Sequence, residues 1–194
     1  MDLVLIRHTR PDVAEGLCYG QMDVGLADTF AEDAARVLAA LPEVWRVVSS
    51  PAQRCMALAK YIVAAKDLPM DIDERLMEMD FGAWQGRYWA DVPLSDLDAW
   101  ADDFLHARPH GGESVKMFMS RVSAALAEWS ARQEPIAIVT HAGVIKVACQ
   151  PHDGLPGDFE ATVDFGGIVV LQAADEADRT RHERQLDARS PMSG

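Results

Sequence analysis

The sequence predicts an α/β fold, a three-layer αβα sandwich with a mostly parallel central sheet and helices on both faces. Short apolar runs that begin at Leu3, Val47 and Ile136 are typical of strands buried on both sides of a sheet. Amphipathic helical patterns lie between these runs, and strands that alternate with helices pair in parallel through right-handed crossovers. Ligands of such sheets bind beyond the carboxyl ends of the strands, so the residues after each run are the candidate site.

The first part of the chain supplies two strands with a helix between them. Residues 3–6, Leu-Val-Leu-Ile, form the first predicted strand, and residues 47–48 form the second. Between them, apolar residues at helical spacing predict a helix over 30–41, with Asp28 or Thr29 as its N-cap.

Two further helices are predicted downstream. Ser50 and Pro51 are typical of an N-cap and a first helical residue, and the apolar spacing continues that helix to Ile62. The clearest amphipathic pattern predicts a helix over 115–129, and the third strand, residues 136–139, follows it. Every predicted strand is thus next to a helix, as a parallel sheet requires.

The segment 82–112 differs from the rest of the chain because it is rich in aromatic residues. We expect a small helical insertion over the active site, with Ser95 as the cap of a short helix. Its aromatic side chains either stack on a flat leaving group or pack the insertion onto the domain: Trp84, Tyr88, Trp89, Trp100 and Phe104. Further on, residues 162–164 and 168–171 predict a closing hairpin.

Length and composition indicate an ordinary globular protein. The 194 residues predict a single domain over 1–174 and a polar C-terminal tail over 175–194. The 31 acidic and 18 basic side chains give a net charge of −13, which argues against binding to nucleic acid or to an acidic membrane surface. The three cysteines form no metal or disulfide pattern, no apolar run is long enough to span a membrane and the N-terminus has no signal peptide. We therefore expect a cytoplasmic protein.

Several polar side chains have no evident partner and are expected to face solvent or to lie at helix ends. These are His106, His110, His152, His182, Asp71, Asp73, Glu74 and Asp80. None of them is assigned to the site.

Charged residues follow all three predicted strands. Arg7 and His8 come directly after the first strand, Arg54 lies shortly after the second, and His141 follows the third. Parallel neighbours are about 4.8 Å apart, so side chains from such strand ends can converge on one small anion. Cations that are crowded together repel each other unless something negative lies between them. The pattern predicts an anion site, and helix N-termini after Ser50 and His141 would add N–H donors to it.

Five ordered motifs make the chain resemble the phosphoglycerate-mutase-like histidine phosphatases over about residues 2–172. The motifs are Leu5-Ile6-Arg7-His8-Thr9, Ser49-Ser50-Pro51-Ala52-Gln53-Arg54, Glu78-Met79-Asp80-Phe81-Gly82-Ala83-Trp84-Gln85-Gly86, Gly111-Gly112-Glu113-Ser114 and Val139-Thr140-His141-Ala142-Gly143. Within that family, the stretch over 16–26 is most similar to the α-ribazole phosphatase branch, which acts in assembly of the cobalamin lower ligand.

The resemblance implies a role for each matched residue. His8 would be the nucleophile that is transiently phosphorylated, and Glu78 would be the general acid and base. Arg7, Arg54 and His141 would form the phosphate pocket. The chain would then be a phosphomonoesterase that needs no metal ion and no cofactor.

The chain departs from the family's pattern at one phosphate contact. Ala14 stands where many members have an asparagine, six residues after the nucleophile. Gln21, or the backbone N–H groups around Gly20, would replace it. Ala142, at the start of the helix after His141, is a further candidate substrate-binding residue. Cys18 and Tyr19 are candidates for the leaving-group side of the site, and the alternative for Cys18 is a small buried thiol.

Phosphoryl transfer needs an in-line nucleophile and neutralisation of charge on the equatorial oxygens. Here two guanidiniums and an imidazolium are expected to supply the positive charge. A neutral imidazole attacks phosphorus only if its other nitrogen is a donor, so we expect His8 to donate to a backbone carbonyl or a carboxylate. Glu78 must be protonated when the alcohol leaves. Neighbouring arginines would lower its pKa and burial near Met79 and Phe81 would raise it, and the sequence leaves open which effect is larger.

Other functions fit the same pattern. A broad-specificity phosphatase and a phosphoglycerate mutase are the enzymatic alternatives, although the chain is short for a mutase. A phospho-ligand-binding module without turnover is the non-enzymatic alternative, but it would not need Glu78. The expected partner is a small phosphorylated substrate, and a homodimer is expected from general frequency alone.

Overall fold

The structure, a computed structural model, describes residues 3–149 and 163–171 of the chain. The predicted tail over 175–194, and with it His182, lies outside the described residues, as does His152. The elements in chain order are β1 (Leu3–Arg7), β2 (Pro11–Asp12), β3 (Gly25–Leu26), α1 (Phe30–Ala40), β4 (Arg46–Ser49), α2 (Gln53–Lys66), β5 (Met70–Ile72), α3 (Leu94–Asp102), α4 (Val115–Ser130), β6 (Ile136–Thr140), α5 (Ala142–Cys149) and β7 (Ile168–Leu171).

The central sheet is mostly parallel, as predicted. Its strand order is β5-β4-β6-β1-β7, in which only β7 runs antiparallel to its neighbour β1. Arg7 is paired with Thr140, and Ser49 is paired with Val139, so β1, β4 and β6 end at nearly the same level. The residues that follow these three strands therefore emerge side by side.

Helices cover both faces of the sheet, which confirms the three-layer prediction. Side chains alternate along a strand, so neighbouring residues of β1 enter different cores. Leu5 packs in the core that contains α4 and α5, and Ile6 packs in the core that contains α1 and α2. Both residues are fully buried. The site at the ends of the strands thus rests on two packed cores.

The start of α2 differs from the prediction. The helix begins at Gln53, two residues after Pro51, and Ala52 precedes it without a capping side chain. The Ser50 hydroxyl lies 2.8 Å from Nε2 of His141. Ser50 therefore contacts the histidine that follows β6, and it lies two residues before Ala52, which has the cap position.

The insertion over 82–112 is present, and α3 is its helix. This helix begins at Leu94 after Pro93, so Ser95 lies in the first turn and is not the cap that the sequence predicted. Trp84 is buried in a small core with Val92 of the insertion and Cys18 of the domain. This tryptophan packs the insertion onto the domain, which was one of the two roles expected for the aromatic residues.

His110, which was expected to face solvent, is buried. Asp73 is buried too, but it lies at a helix end, one of its two expected places, because its carboxylate accepts from the Arg75 N–H at the start of the short helix Glu74–Leu76. His110 packs against the ring of Trp84, with 4.7 Å between ring centroids, and its Nδ1 accepts a hydrogen bond from the Gly112 N–H at 3.0 Å. Asp73 accepts a hydrogen bond from Nε1 of Trp129 at 2.8 Å. The contacts with Trp84 and Trp129 form only in the folded chain, so the local sequence did not reveal them.

The predicted hairpin at the end of the domain does not form among the described residues. Val163 and Asp164 lie outside any strand, and the Gly167 N–H donates to the Asp164 carbonyl at 2.8 Å, which closes a turn. Thr162 lies outside the described residues. β7 pairs with the free edge of β1 instead, because that edge offers a ladder of four residue pairs.

Within the described part of the chain, no helix has the length and apolar character needed to cross a membrane.

Candidate active site

The ends of β1, β4 and β6 bring the predicted residues together in one pocket. His8, Arg54 and His141 are each at most 1% exposed. The ring centroids of His8 and His141 are 5.3 Å apart. Three segments that are far apart in sequence thus place two imidazoles and a guanidinium side by side, as the strand-end argument predicted.

His8 is held in one tautomer by the backbone. Its Nδ1 lies 2.7 Å from the carbonyl oxygen of Thr9. A carbonyl only accepts, so Nδ1 carries the hydrogen and Nε2 keeps its lone pair. The pKa of His8 is lowered from its ordinary value of 6.5 to about 3. Burial is the largest cause, the hydrogen bond to Thr9 opposes it, and the charges of Arg54 and Arg7 add to the lowering. His8 is therefore a neutral imidazole with a free nucleophilic nitrogen at pH 7.

Arg54 is fixed by the loop before β3. Its Nη1 donates to the Met22 carbonyl at 2.8 Å and its Nη2 donates to the Gly20 carbonyl at 2.7 Å. Its guanidinium carbon lies 5.1 Å from the ring centroid of Tyr19. The groups that accept hydrogen bonds from Arg54 are thus uncharged carbonyls. They do not neutralise the positive charge of Arg54, which is available to an anion.

Arg7 stacks on an aromatic ring that the sequence analysis did not assign to the site. Its guanidinium carbon lies 3.8 Å from the ring centroid of Phe165, and its Nη1 donates to the Val163 carbonyl at 2.6 Å. The sequence signal that could have indicated Phe165 is its position directly before Gly166 and Gly167, in the turn that leads into β7 beside β1. Among the described residues nothing accepts a hydrogen bond from the buried Nε of Arg7 or of Arg54. Each arginine therefore keeps a buried donor for an anion.

His141 is oriented from both sides. Its Nδ1 lies 3.2 Å from Nη2 of Arg54, which can only donate, so Nε2 carries the hydrogen and donates to Ser50 at 2.8 Å. Burial and the neighbouring Arg54 hold the pKa of His141 well below 6.5. The expected imidazolium is therefore a neutral imidazole, because a third cation is unfavourable in this pocket. The negative charge of a phosphoryl group would raise the pKa of His141 again.

The Glu78 side chain lies beside the first turn of α5. The sequence left open whether burial or the nearby arginines have the larger effect on its pKa. Its Oε1 accepts from the Met79 N–H and its Oε2 from the Gly143 N–H, both at 3.1 Å. Burial raises the pKa of Glu78 above 4.5, and this effect exceeds the lowering by the two N–H groups and by the arginines. A carboxyl group of this kind is suited to donate a proton and then to accept one.

Two of the other predicted substrate-binding residues, Gly20 and Gln21, contact candidate catalytic residues. The Gly20 carbonyl holds Arg54. The Gln21 amide donates to the Glu78 carbonyl at 2.9 Å, and its N–H donates to Gln85 at 2.7 Å. Ala142 is the first residue of α5. As direct ligands of the substrate, these three residues stay predictions.

A cavity of about 440 Å³ opens beside Arg7. Tyr19, Trp89 and Phe165 contribute aromatic walls, and Ala14 also lines it. Within the described ranges, no group of three or more histidine, cysteine or acidic side chains could hold a metal ion. This cavity offers room for the part of a substrate that extends away from the phosphoryl group.

Comparisons with known proteins show the family of the chain. The family model of the histidine phosphatase superfamily (branch 1) matches residues 3–182. The chain is 31% identical over 167 residues to the adenosylcobalamin/alpha-ribazole phosphatase of Escherichia coli K12, covering 81% of this chain and 82% of that protein. It is 33% identical over 172 residues to the glucosyl-3-phosphoglycerate phosphatase of Mycolicibacterium vanbaalenii, covering 80% and 76%.

A solved structure extends the agreement to the fold. The alpha-ribazole phosphatase from Shigella flexneri superposes with a TM-score of 0.78 at 28% identity, covering 90% of this chain and 92% of that one. The range matched by the family model includes both histidines, both arginines and Glu78 of the pocket. The chain therefore belongs to the histidine phosphatase superfamily, and it is a phosphomonoester hydrolase.

Proposed function

We propose that the chain hydrolyses phosphomonoesters in two steps, with His8 as the nucleophile and a phosphohistidine as the intermediate. The hydrogen bond from Nδ1 of His8 to the Thr9 carbonyl carries this proposal. It leaves the Nε2 lone pair as the reactive site of the ring. The low pKa of His8, about 3, keeps that lone pair available at neutral pH.

In the first step, Nε2 of His8 attacks phosphorus and the bond from phosphorus to the ester oxygen breaks. The carboxyl group of Glu78 gives its proton to the departing oxygen, so the leaving group departs as an alcohol. Arg7 and Arg54 neutralise the charge on the equatorial oxygens through their unpaired donors. Arginine charge takes the part that metal ions have in many phosphoryl-transfer enzymes, so we expect EDTA to leave the activity unchanged.

In the second step, water attacks the phosphohistidine. The Glu78 carboxylate accepts a proton from that water, the bond between phosphorus and Nε2 breaks, and inorganic phosphate leaves. Glu78 and His8 return to their starting protonation states. The same carboxyl group serves both steps, which requires a pKa near the working pH.

The intermediate is the test of this mechanism. Brief incubation with a ³²P-labelled phosphomonoester should label the protein with an acid-labile, alkali-stable phosphate. His8→Ala should abolish the label and the turnover, whereas His106→Ala, a change at an exposed histidine that pairs with Asp103, should keep both. Full activity of the His8→Ala protein would contradict the mechanism.

Similarity supports two classes of leaving group for this reaction. The relationship to the Escherichia coli protein supports α-ribazole 5′-phosphate, and the mycobacterial relative supports a glucosyl phosphoglycerate. A panel of these two esters with sugar phosphates and nucleotides compares kcat/KM directly. A preference below about tenfold, or 1.4 kcal/mol in transition-state binding, would favour a broad-specificity phosphatase.

The remaining alternatives have separate outcomes. Interconversion of phosphoglycerates that requires a bisphosphate primer would identify a mutase. Binding of phosphate without turnover of any ester would identify a phospho-ligand-binding module. The homodimer stays a prediction, which light scattering of the purified protein tests.

A further inference from the structure

The cavity of about 440 Å³ beside Arg7 contains a second arginine that the reaction does not use. Arg10 lines this cavity together with Arg7 and Phe165. Its guanidinium carbon lies 5.3 Å from the Phe165 ring centroid, and that of Arg7 lies 3.8 Å from the same point. The two guanidinium carbons are therefore at most 9.1 Å apart, the sum of these distances. A group a few bonds from the phosphorus can reach Arg10 while the phosphoryl group contacts Arg7.

Arg10 has no carboxylate partner within salt-bridge distance among the residues that the structure describes. Four other arginines in that part of the chain do have one: Arg36, Arg46, Arg75 and Arg121. Within the same described ranges, Arg7 and Arg54 of the pocket have none, and neither do Arg87, Arg108 and Arg132, so Arg10 is set apart by its place in the cavity beside Arg7. The chain carries 31 acidic side chains, so partners are abundant. Two guanidiniums that share one ring repel each other, and an anion between or beside them relieves that repulsion.

Glu15 is the acidic residue that lines the same cavity. It forms no ion pair with Arg10 in the described structure, so it does not neutralise that arginine. Its carboxylate repels an anion and accepts hydrogen bonds from hydroxyl groups. The cavity therefore has a cationic side, at Arg7 and Arg10, and a side that favours neutral hydroxyls.

We propose that Arg10 binds a second anionic group, a carboxylate or a phosphate, on the leaving group of the substrate. The substrates preferred by this site are then phosphomonoesters of acidic alcohols, rather than of uncharged ones such as a nucleoside. Arg10 acts on specificity and takes no part in the chemical steps. This inference rests on the proposed function, because it assigns the leaving-group side of the same site.

A matched pair of esters isolates the contribution of Arg10. In 3-phosphoglycerate a carboxylate stands where glycerol 3-phosphate has a hydroxymethyl group, and the two are otherwise alike. We expect the wild-type protein to prefer 3-phosphoglycerate in kcat/KM by about tenfold, the size of one hydrogen-bonded charge. Arg10→Gln should remove this preference and leave the rate with glycerol 3-phosphate unchanged. Arg10→Lys should keep part of it.

Two further comparisons make the result specific. Arg36→Gln removes the same charge from the exposed face of α1 and should leave the preference intact. Glu15→Gln should increase the preference, because it removes the repulsive carboxylate. A second pair, propane-1,3-diol bisphosphate against 3-hydroxypropyl phosphate, shows whether a second phosphate is bound in place of a carboxylate. Preference in either pair that depends on Arg10 supports the site.

The failure of this inference is distinct from failure of the mechanism. Hydrolysis of p-nitrophenyl phosphate through the labelled phosphoenzyme tests the mechanism, and Arg10→Gln should not affect it. If that activity is present but neither pair shows a preference, the second-anion site is overturned. An equal loss for both members of a pair in the Arg10→Gln protein would overturn it as well.

Discussion

In the proposed mechanism, the protonation state of Glu78 controls the first step. Burial raises its pKa above 4.5, whereas burial and the nearby arginines lower that of His8 to about 3. The active form, with a protonated Glu78 and a neutral His8, is therefore populated between these two pKa values. The pKa of Glu78 thus lies above that of His8, as the proposed reaction requires.

We predict that kcat/KM falls as the pH rises above the pKa of Glu78, and that Glu78→Gln removes this alkaline limb. The variant should also lose about 10²-fold or more with an alkyl phosphate, because nothing protonates the departing oxygen. With p-nitrophenyl phosphate the loss should be smaller, since that leaving group needs little protonation. Ionisation of the ester itself is common to both proteins, so the difference between their pH profiles isolates Glu78. An unchanged alkaline limb in the variant would rule out this role.

Gly143, in the turn from β6 into α5, packs directly against the carboxyl group of Glu78. A Cβ at Gly143 would lie 2.2 Å from Oε1 of Glu78 and 3.1 Å from Cζ of Phe118. The Gly143 N–H is one of the two donors that hold the carboxyl group. The start of α5 thus leaves no room for a side chain between Gly143 and the Glu78 carboxyl group.

We predict that Gly143→Ala displaces the Glu78 carboxyl and lowers kcat/KM for alkyl phosphates by about 10- to 100-fold. The free energy of unfolding should fall by about 1–3 kcal/mol, because the added methyl overpacks the site. Gly25→Ala is the control, since a Cβ there meets its nearest atom at 3.5 Å, an ordinary contact. Activity and urea unfolding of both variants check the prediction, and normal activity of the Gly143→Ala protein would contradict it.

The elements that sequence alone predicts are those whose signal is local. The buried strands and α4, which Ser114 caps through the Met117 N–H, follow from apolar spacing and one capping residue. Arg7, His8, Arg54 and His141 followed because parallel strand ends meet at one edge, whereas Glu78 was assigned only through the resemblance to the histidine phosphatases. Ser50 could not be assigned in this way, because its hydrogen bond goes to a residue 91 positions away. The turn that returns Phe165 to Arg7 also depends on the pairing of β7 with β1, which no local pattern contains.

At the scale of the whole molecule, three buried histidines link folding to pH. The pKa values of His8, His110 and His141 all lie below 6.5, and burial is the largest cause in each case. As the pH falls below 6.5, the unfolded chain therefore binds protons that the folded chain does not bind. The free energy of unfolding must then decrease. Glu78 has the opposite effect, because its raised pKa lets the folded chain hold a proton that the unfolded chain releases above 4.5.

We predict that the free energy of unfolding decreases between pH 6.5 and pH 5, since three histidines outweigh one carboxyl group. Each unmatched proton contributes a slope of up to about 1.4 kcal/mol per pH unit. His8→Asn removes one histidine and should make the slope shallower, whereas Glu78→Gln removes the opposing group and should make it steeper. Urea unfolding at four pH values in this range measures the three slopes, and comparing slopes cancels the direct effect of each substitution on stability. Equal slopes for the three proteins would mean that these buried groups titrate in the folded chain as they do in the unfolded one, which would contradict the burial that the pocket depends on.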